Sequence, residues 1–239
     1  MTKEKPKPII ILGMHRSGTS CLAGALQQAG LYLGKVSEYN TYNKKGNREN
    51  NEIMHLNDSI LDYNNSSWDA PPKKPLKWTQ EHIAIAKKII STFEQQTPTG
   101  YWGFKDPRTL LTFPFWEKLL TKPVFIGSFR HPLLVAHSVC KREDFTQRET
   151  AALSLWSTYN NILMSHIDKY NIQLIAFDQP SPDYKKKLKK IARFLELPAP
   201  EKIDFYDETL IQKDNSTFNE NNINSELSSL YEKILKQKL

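Results

Sequence analysis

The chain has 239 residues, a formal net charge of +7, and 39% hydrophobic and 11% aromatic residues, with a mean hydropathy of −0.57. This composition excludes a disordered chain and a bilayer-embedded protein, and is enough for one sizeable core. Much of the positive charge sits in DYKKKLKKIARFLELP, where Tyr184, Leu188, Ile191, Phe194 and Leu195 recur at helical spacing and lysines take the other faces. That pattern reads as a solvated helix face, not as a nucleic-acid footprint.

The opening MTKEKPKPIIILG has an apolar run too short for a signal peptide and no small-residue cleavage site. PIIIL is a strand, the loop GMHRSGTS runs from Gly13 to Ser20, and CLAGALQQAG is a helix closed by Gly30. A long stretch follows, with a polar loop around YNTYNKKGNREN and two helical patterns, Glu49 to Tyr63 and Thr79 to Gln95, joined by the proline-containing SSWDAPPKKPLKW. YWGFK is a second strand, and Asp106-Pro107 supplies the N-cap and first-turn proline of the next helix. VFIGSF is a third strand, ended by Arg130, and His131-Pro132 opens another helix.

Ile172 to Asp178 is the fourth strand and leads into the lysine-rich helix. An exposed Asn-rich segment near 214–224 precedes a last helix at Leu227 to Leu235. Alternating buried strands and helices predict an α/β, three-layer P-loop-type fold, a central parallel sheet flanked by helices. The expectation is one domain over 1–239, with residues about 35–98 as a helical and loop insertion, and ligands at the carboxyl ends of the strands. Cys21 and Cys140 fall inside predicted helices, as buried thiols of a reducing, cytoplasmic compartment. No zinc spacing or EF-hand loop occurs, so no metal is expected.

The Gly13–Ser20 loop carries the functional argument. Gly13, Gly18 and Ser20 hold the glycine and hydroxyl positions of a G-x-x-x-x-G-K-[ST] phosphate loop, but Thr19 stands where the lysine belongs. Backbone N–H groups and the helix N-terminus still suit a phosphate or phosphosulfate. Without the ammonium, a magnesium nucleoside triphosphate loses its main protein-supplied cation, while Arg16 offers a planar fork of donors.

Arg16-Ser17-Gly18-Thr19-Ser20 resembles the 5′-phosphosulfate loop of sulfotransferases that use 3′-phosphoadenosine 5′-phosphosulfate (PAPS). The resemblance implies a 3′-phosphate site as well, formed by an arginine at a strand end and a serine eight residues later. Arg130 and Ser138 have that spacing. It also implies a cofactor-binding set of His15, Arg16, Ser17, Gly18, Thr19, Ser20, Arg130 and Ser138, with His15 positioning the loop.

The stretch KDPR, Lys105 to Arg108, resembles a segment of bacterial members, and either Lys105 or Arg108 could stabilise charge on the transferring group. Asp106 reads as an N-cap. Asn43 to Glu49 resembles a bacterial N-x-x-G-y-x-E segment whose glutamate is the catalytic base. The relatives favour aromatics where this chain has Asn47 and Arg48.

Glu49 therefore has two readings. It is a base leaning toward the core with its pKa raised by burial, or a first-turn acid stabilised by the helix dipole. The catalytic set is then Glu49, Arg16 and Lys105. His55 falls on a helix flank, and His166 lies on an apolar stripe with Trp156, Tyr159 and Leu163, as a core residue. The acceptor would be a hydroxyl or amine of a small molecule or carbohydrate, with Tyr39, Tyr42, Tyr63, Trp68 and Trp78 lining its pocket or filling the core. The alternatives are a nucleotide kinase or NTPase, and a non-catalytic anion- or membrane-binding module.

Overall fold

The computed structural model describes residues 7–39, 43–210 and 223–239. Four strands, β1 (Pro8–Leu12), β2 (Trp102–Lys105), β3 (Val124–Phe129) and β4 (Gln173–Ala176), form one parallel sheet in the order β2-β1-β3-β4. The register sets Ile10 against Phe104 and Phe125, and Phe129 against Ala176. All five β1 residues are buried, because helices cover both faces of the sheet.

The faces divide with the two-residue period of a strand. Ile9, Ile11, Ile126 and Ile175 pack with α1 (Thr19–Gln28) and α7 (Ser181–Phe194). Ile10, Leu12, Phe125, Phe129 and Leu174 face the other layer. That layer is built from α2 (Asn51–Tyr63), α3 (Gln80–Gln96), α4 (Phe113–Leu119), α5 (Pro132–Cys140), α6 (Glu149–Tyr170) and α8 (Ser225–Lys236). Burying each such aliphatic side chain contributes roughly 1.5–3 kcal/mol, so both faces are needed to hold the sheet. The expected three-layer α/β fold is what forms.

Several local expectations need correction. The helical pattern read from Glu49 begins at Asn51, because the Asn50 side chain accepts hydrogen bonds from the N–H groups of Glu52 and Ile53 and caps the helix. Asp106 caps a 3-10 turn, Pro107–Leu110, before α4 begins separately. In α7, Tyr184, Leu188, Ile191 and Leu195 are buried as their spacing requires, but Phe194 is 51% exposed at the last turn. Cys140 is exposed at the end of α5, and Cys21 is half-buried. His55 is exposed, and His166 stacks on Phe113 at 3.9 Å in the core layer. Of the Asn-rich segment, residues 214–222 lie outside the described residues.

Candidate active site

A cavity of about 350 Å³ opens at the carboxyl ends of β1, β2, β3 and β4. Parallel strands point their last residues and following loops to one edge, so distant segments converge there. At its centre lies the turn between β1 and α1. Gly18 caps α1 with φ 83°, and a Cβ there would lie 2.3 Å from the Phe177 ring, so the position is closed to any side chain. Arg16 holds φ 65°, left-handed backbone that a non-glycine residue adopts at a cost of about 1–2 kcal/mol. The Ser128 hydroxyl donates to the Ser17 carbonyl at 2.5 Å and ties the turn to β3. Gly18, Thr19, Ser20 and Cys21 all line the cavity, bringing the start of α1 to its wall.

Arg130 and Ser138 reach the same cavity from the β3–α5 connection. Trp156 Nε1 donates to the Arg130 carbonyl at 3.0 Å, and the Asp178 carboxylate accepts from the His131 N–H at 2.8 Å. The backbone on either side of the strand end is thereby fixed. Arg16 Nε donates to Ser138 Oγ at 2.7 Å across 122 residues, so the two motifs meet. Burial, then the neighbouring Arg142 and Arg130 charges, pull the Arg16 guanidinium down to about 10. Like charges held together out of water favour an anion between them.

Glu49 and Lys105 form a second cluster. Glu49 precedes the cap of α2, in backbone that pairs with residues 36 and 37. The Ser37 N–H donates to its carbonyl at 3.1 Å, and Asn50 bridges Val36. Gly46 makes this possible, with φ 75° and no room for a Cβ against the Ser37 carbonyl. Glu49 is buried, and Lys105 Nζ donates to its Oε1 at 2.7 Å. The sequence reading treated these as separate groups, whereas the fold pairs them. Asn47 lines the cavity, while Arg48 turns away to Glu38, Gln27 and the Phe205 ring.

Asp106 caps the turn and also binds Arg108, with Nη1 donating to both of its oxygens at 3.1 and 3.0 Å. Burial pushes the Asp106 carboxyl up, and Arg108 opposes that rise. Burial pulls Arg108 down, but Asp106, Asp58 and Glu49 hold it above its ordinary value.

His15 lines the cavity and is buried, its ring 4.7 Å from that of Trp68. Burial and the surrounding Arg108, Arg142, Lys105 and Arg16 charges depress its pKa well below the usual value, so it is neutral. Arg142 Nη1 lies 3.3 Å from His15 Nδ1. A guanidinium can only donate, so Nδ1 accepts and the ring proton sits on Nε2.

Arg142 was missed by the sequence reading. It lies just past α5, which ends at Cys140, in a turn where its N–H donates to the Val139 carbonyl at 2.9 Å, so no helical spacing pointed to it. Phe177, Phe205 and Tyr206 also line the cavity and carried no motif. Phe205 is placed by Lys45 Nζ, which donates to its carbonyl at 2.6 Å, and by Gly24, where a Cβ would lie 2.4 Å from its ring.

Of the aromatic residues read as lining an acceptor pocket or filling the core, none of the described ones lines the cavity. Tyr39 and Tyr63 are exposed, and Trp68 and Trp78 pack against the core layer. Tyr42 lies outside the described residues. Among the described residues, no group of three His, Cys, Asp or Glu side chains could hold a metal, and no helix is long and apolar enough to cross a membrane.

Two solved structures share this architecture. A sulfotransferase domain from the Synechococcus PCC 7002 olefin synthase superposes with a TM-score of 0.62 at 16% identity, covering 98% of each chain. A sulfotransferase domain from the curacin biosynthetic pathway gives 0.64 at 15% identity, covering 96% of this chain and 98% of its own. No curated protein sequence matches. The family model described as "Sulfotransferase family" matches residues 8–201, which include every strand and every charged group of the two clusters, and the chain belongs to that family.

Proposed function

We propose that this sulfotransferase takes its sulfuryl group from PAPS and passes it to a hydroxyl or amine of a small molecule or carbohydrate. The observation that carries the reading is the Arg16–Ser138 contact of 2.7 Å, which joins the phosphate-loop motif and the Arg130/Ser138 motif at one cavity. A donor with an anion at each end needs two such sites within one small molecule's length. The residues present fit it. The turn at Gly18 has no side chain to fill it, α1 directs its N-terminus to the wall, and arginines 16, 130 and 142 crowd nearby. Phe177, Phe205 and Tyr206 offer apolar surface for a base.

PAPS supplies an activated sulfuryl group on a phosphosulfate anhydride. The roles of this chain's residues follow. The loop from His15 to Ser20 holds the 5′ end, with Arg16 and the N–H groups of α1 meeting the charge that develops on the leaving phosphate oxygen. Arg130 and Ser138, joined by Arg142, hold the 3′-phosphate. Glu49 takes the acceptor's proton as its bond to sulfur forms. Oε1 is held by Lys105, which leaves Oε2, with no hydrogen-bond partner among the described residues, to receive that proton. Lys105 orients the carboxylate.

The acceptor end is built from the insertion, with Asn43, Lys45, Asn47, Glu49 and Met54 lining the cavity. On this reading the chain is one domain, and residues about 35–98 shape its acceptor site. Both solved neighbours are domains of biosynthetic systems, which favours a small-molecule acceptor.

Thermal unfolding tests the donor. Adenosine 3′,5′-bisphosphate at one hundred times Kd should stabilise the protein by about 2.7 kcal/mol, or about 5–10 °C for a chain of this size. ATP with magnesium should do far less. Stabilisation by ATP and magnesium alone would return the chain to the kinase or NTPase reading.

A further inference from the structure

Lys105, at the end of β2, has its charge engaged by Glu49, which leaves open what orients Arg108, the cation on the turn that follows. Arg108 lines the cavity and is buried. Two carboxylates hold it from the side away from solvent and from α2. Asp106 takes both hydrogen bonds from Nη1, and Asp58 on α2 adds an ion pair, its Oδ1 2.6 Å from Nε but outside hydrogen-bond alignment. Nη2 has no partner among the described residues. The guanidinium is planar, so the Nη1 bonds, with the Asp58 charge beside Nε, set the direction of Nη2.

The turn that carries Arg108 is pinned by the residue beside Asp58. Asn57 Nδ2 donates to Thr109 Oγ1 at 3.3 Å, while Asn57 Oδ1 accepts from Thr112 Oγ1 at 2.8 Å and Trp116 Nε1 at 2.8 Å. All of these groups are buried. Consecutive residues of α2 thus hold side chains on and just after the turn, and the side chain of Arg108. Such duplication is what a preorganised donor requires, since a charge-stabilising N–H is effective only if it need not reorient during the reaction. Asp58 itself is only part-buried and sits at the outer end of an alternating series, Glu49, Lys105, Asp106, Arg108, Asp58.

We infer that Asp58 is a positioning residue that, with Asp106, aims Arg108 at the transferring sulfuryl group, making Arg108 the donor to that group and Lys105 the partner of the base. This rests on the proposed donor, and the test separates the two. The probe is labelled PAPS with water as acceptor, read as sulfate release, alongside calorimetric binding of adenosine 3′,5′-bisphosphate.

Asp58→Asn should lower sulfate release about tenfold while bisphosphate Kd stays within about twofold, and Asp58→Glu should recover most of the loss. Arg108→Lys, which keeps charge but loses the fork, should lower release by about 10²-fold. Where Asp58→Asn also lowers Tm, the double variant decides. Asp58 acts only through Arg108, so Asp58→Asn/Arg108→Lys should match Arg108→Lys alone. Full release by Asp58→Asn, additive losses in the double variant, or bisphosphate affinity falling in step with release would overturn the assignment. Failure of the wild-type protein to bind the bisphosphate would overturn the donor reading instead.

Discussion

At one end of the cavity Arg16 lies beside Arg142 and Arg130, and burial, then those two charges, lower its pKa. At the other end Lys105 lies 2.7 Å from Glu49, and Arg108 is matched by Asp106 and Asp58. The first gathers like charges out of water, which favours an anion beside them. The second pairs each cation with a carboxylate, which restricts where its groups can point. On the proposed function, one cavity therefore combines a region that binds with a region that orients, and substitutions should separate them.

The largest effect is expected at the orienting end. Glu49→Gln should lower sulfate release from labelled PAPS by about two to four orders of magnitude, with bisphosphate affinity unchanged. Unaltered release would remove Glu49 from the role of base. At the same pair, Lys105→Met leaves a buried carboxylate without its cation and should cost about 3–5 kcal/mol in urea unfolding. The double variant Glu49→Gln/Lys105→Met should regain most of that.

At the binding end the balance reverses. Arg16→Ala should weaken the bisphosphate about 10²-fold by calorimetry, yet shift unfolding free energy by no more than about 1 kcal/mol, because losing the Ser138 hydrogen bond is offset by relief of crowding. A large loss of stability would erase the contrast between the two ends.

The smallest effect concerns protons. His15, His82 and His166 all have depressed pKa values, with burial the first cause in each. The unfolded chain takes up these protons near pH 6.5, while the folded chain resists until lower pH. Stability from this source is present above about pH 6.5 and is lost as the pH falls below it. His15→Gln should flatten the dependence of the urea midpoint between pH 7.5 and 5.5 more than the same change at His82 or His166. An equal slope would mean that the charges around His15 are screened.

The binding end was legible in the sequence because its signals are local. The β-branched run before Gly13, the spacing of Gly18 and Ser20, and the eight residues from Arg130 to Ser138 each lie within one strand–turn–helix unit. The orienting end was only partly legible. Glu49 was named, but its place before an Asn50 cap was not, since Glu49 and Asn50 both suit a helix start and the choice between them depends on pairing with residues 36 and 37. The Glu49–Lys105 pair spans 56 residues, and Phe205 enters from beyond α7. No spacing rule links such positions. Phe194 and Cys140 show the same limit, since a residue at the final turn of a helix can keep the apolar phase and still lie past the edge of its neighbours.

Gly24 sits in the middle of α1, where alanine would favour the helix by about 1 kcal/mol. The missing methyl group is the slot that receives the Phe205 ring, and Phe205 in turn anchors Lys45. Filling that slot would strengthen a helix while pushing a wall of the cavity outward, and the loop bearing Asn47 would move with it. The width of the binding cleft is thus set partly by one absent carbon on the far side of the aromatic ring, where improved local stability and retained cavity shape are opposed.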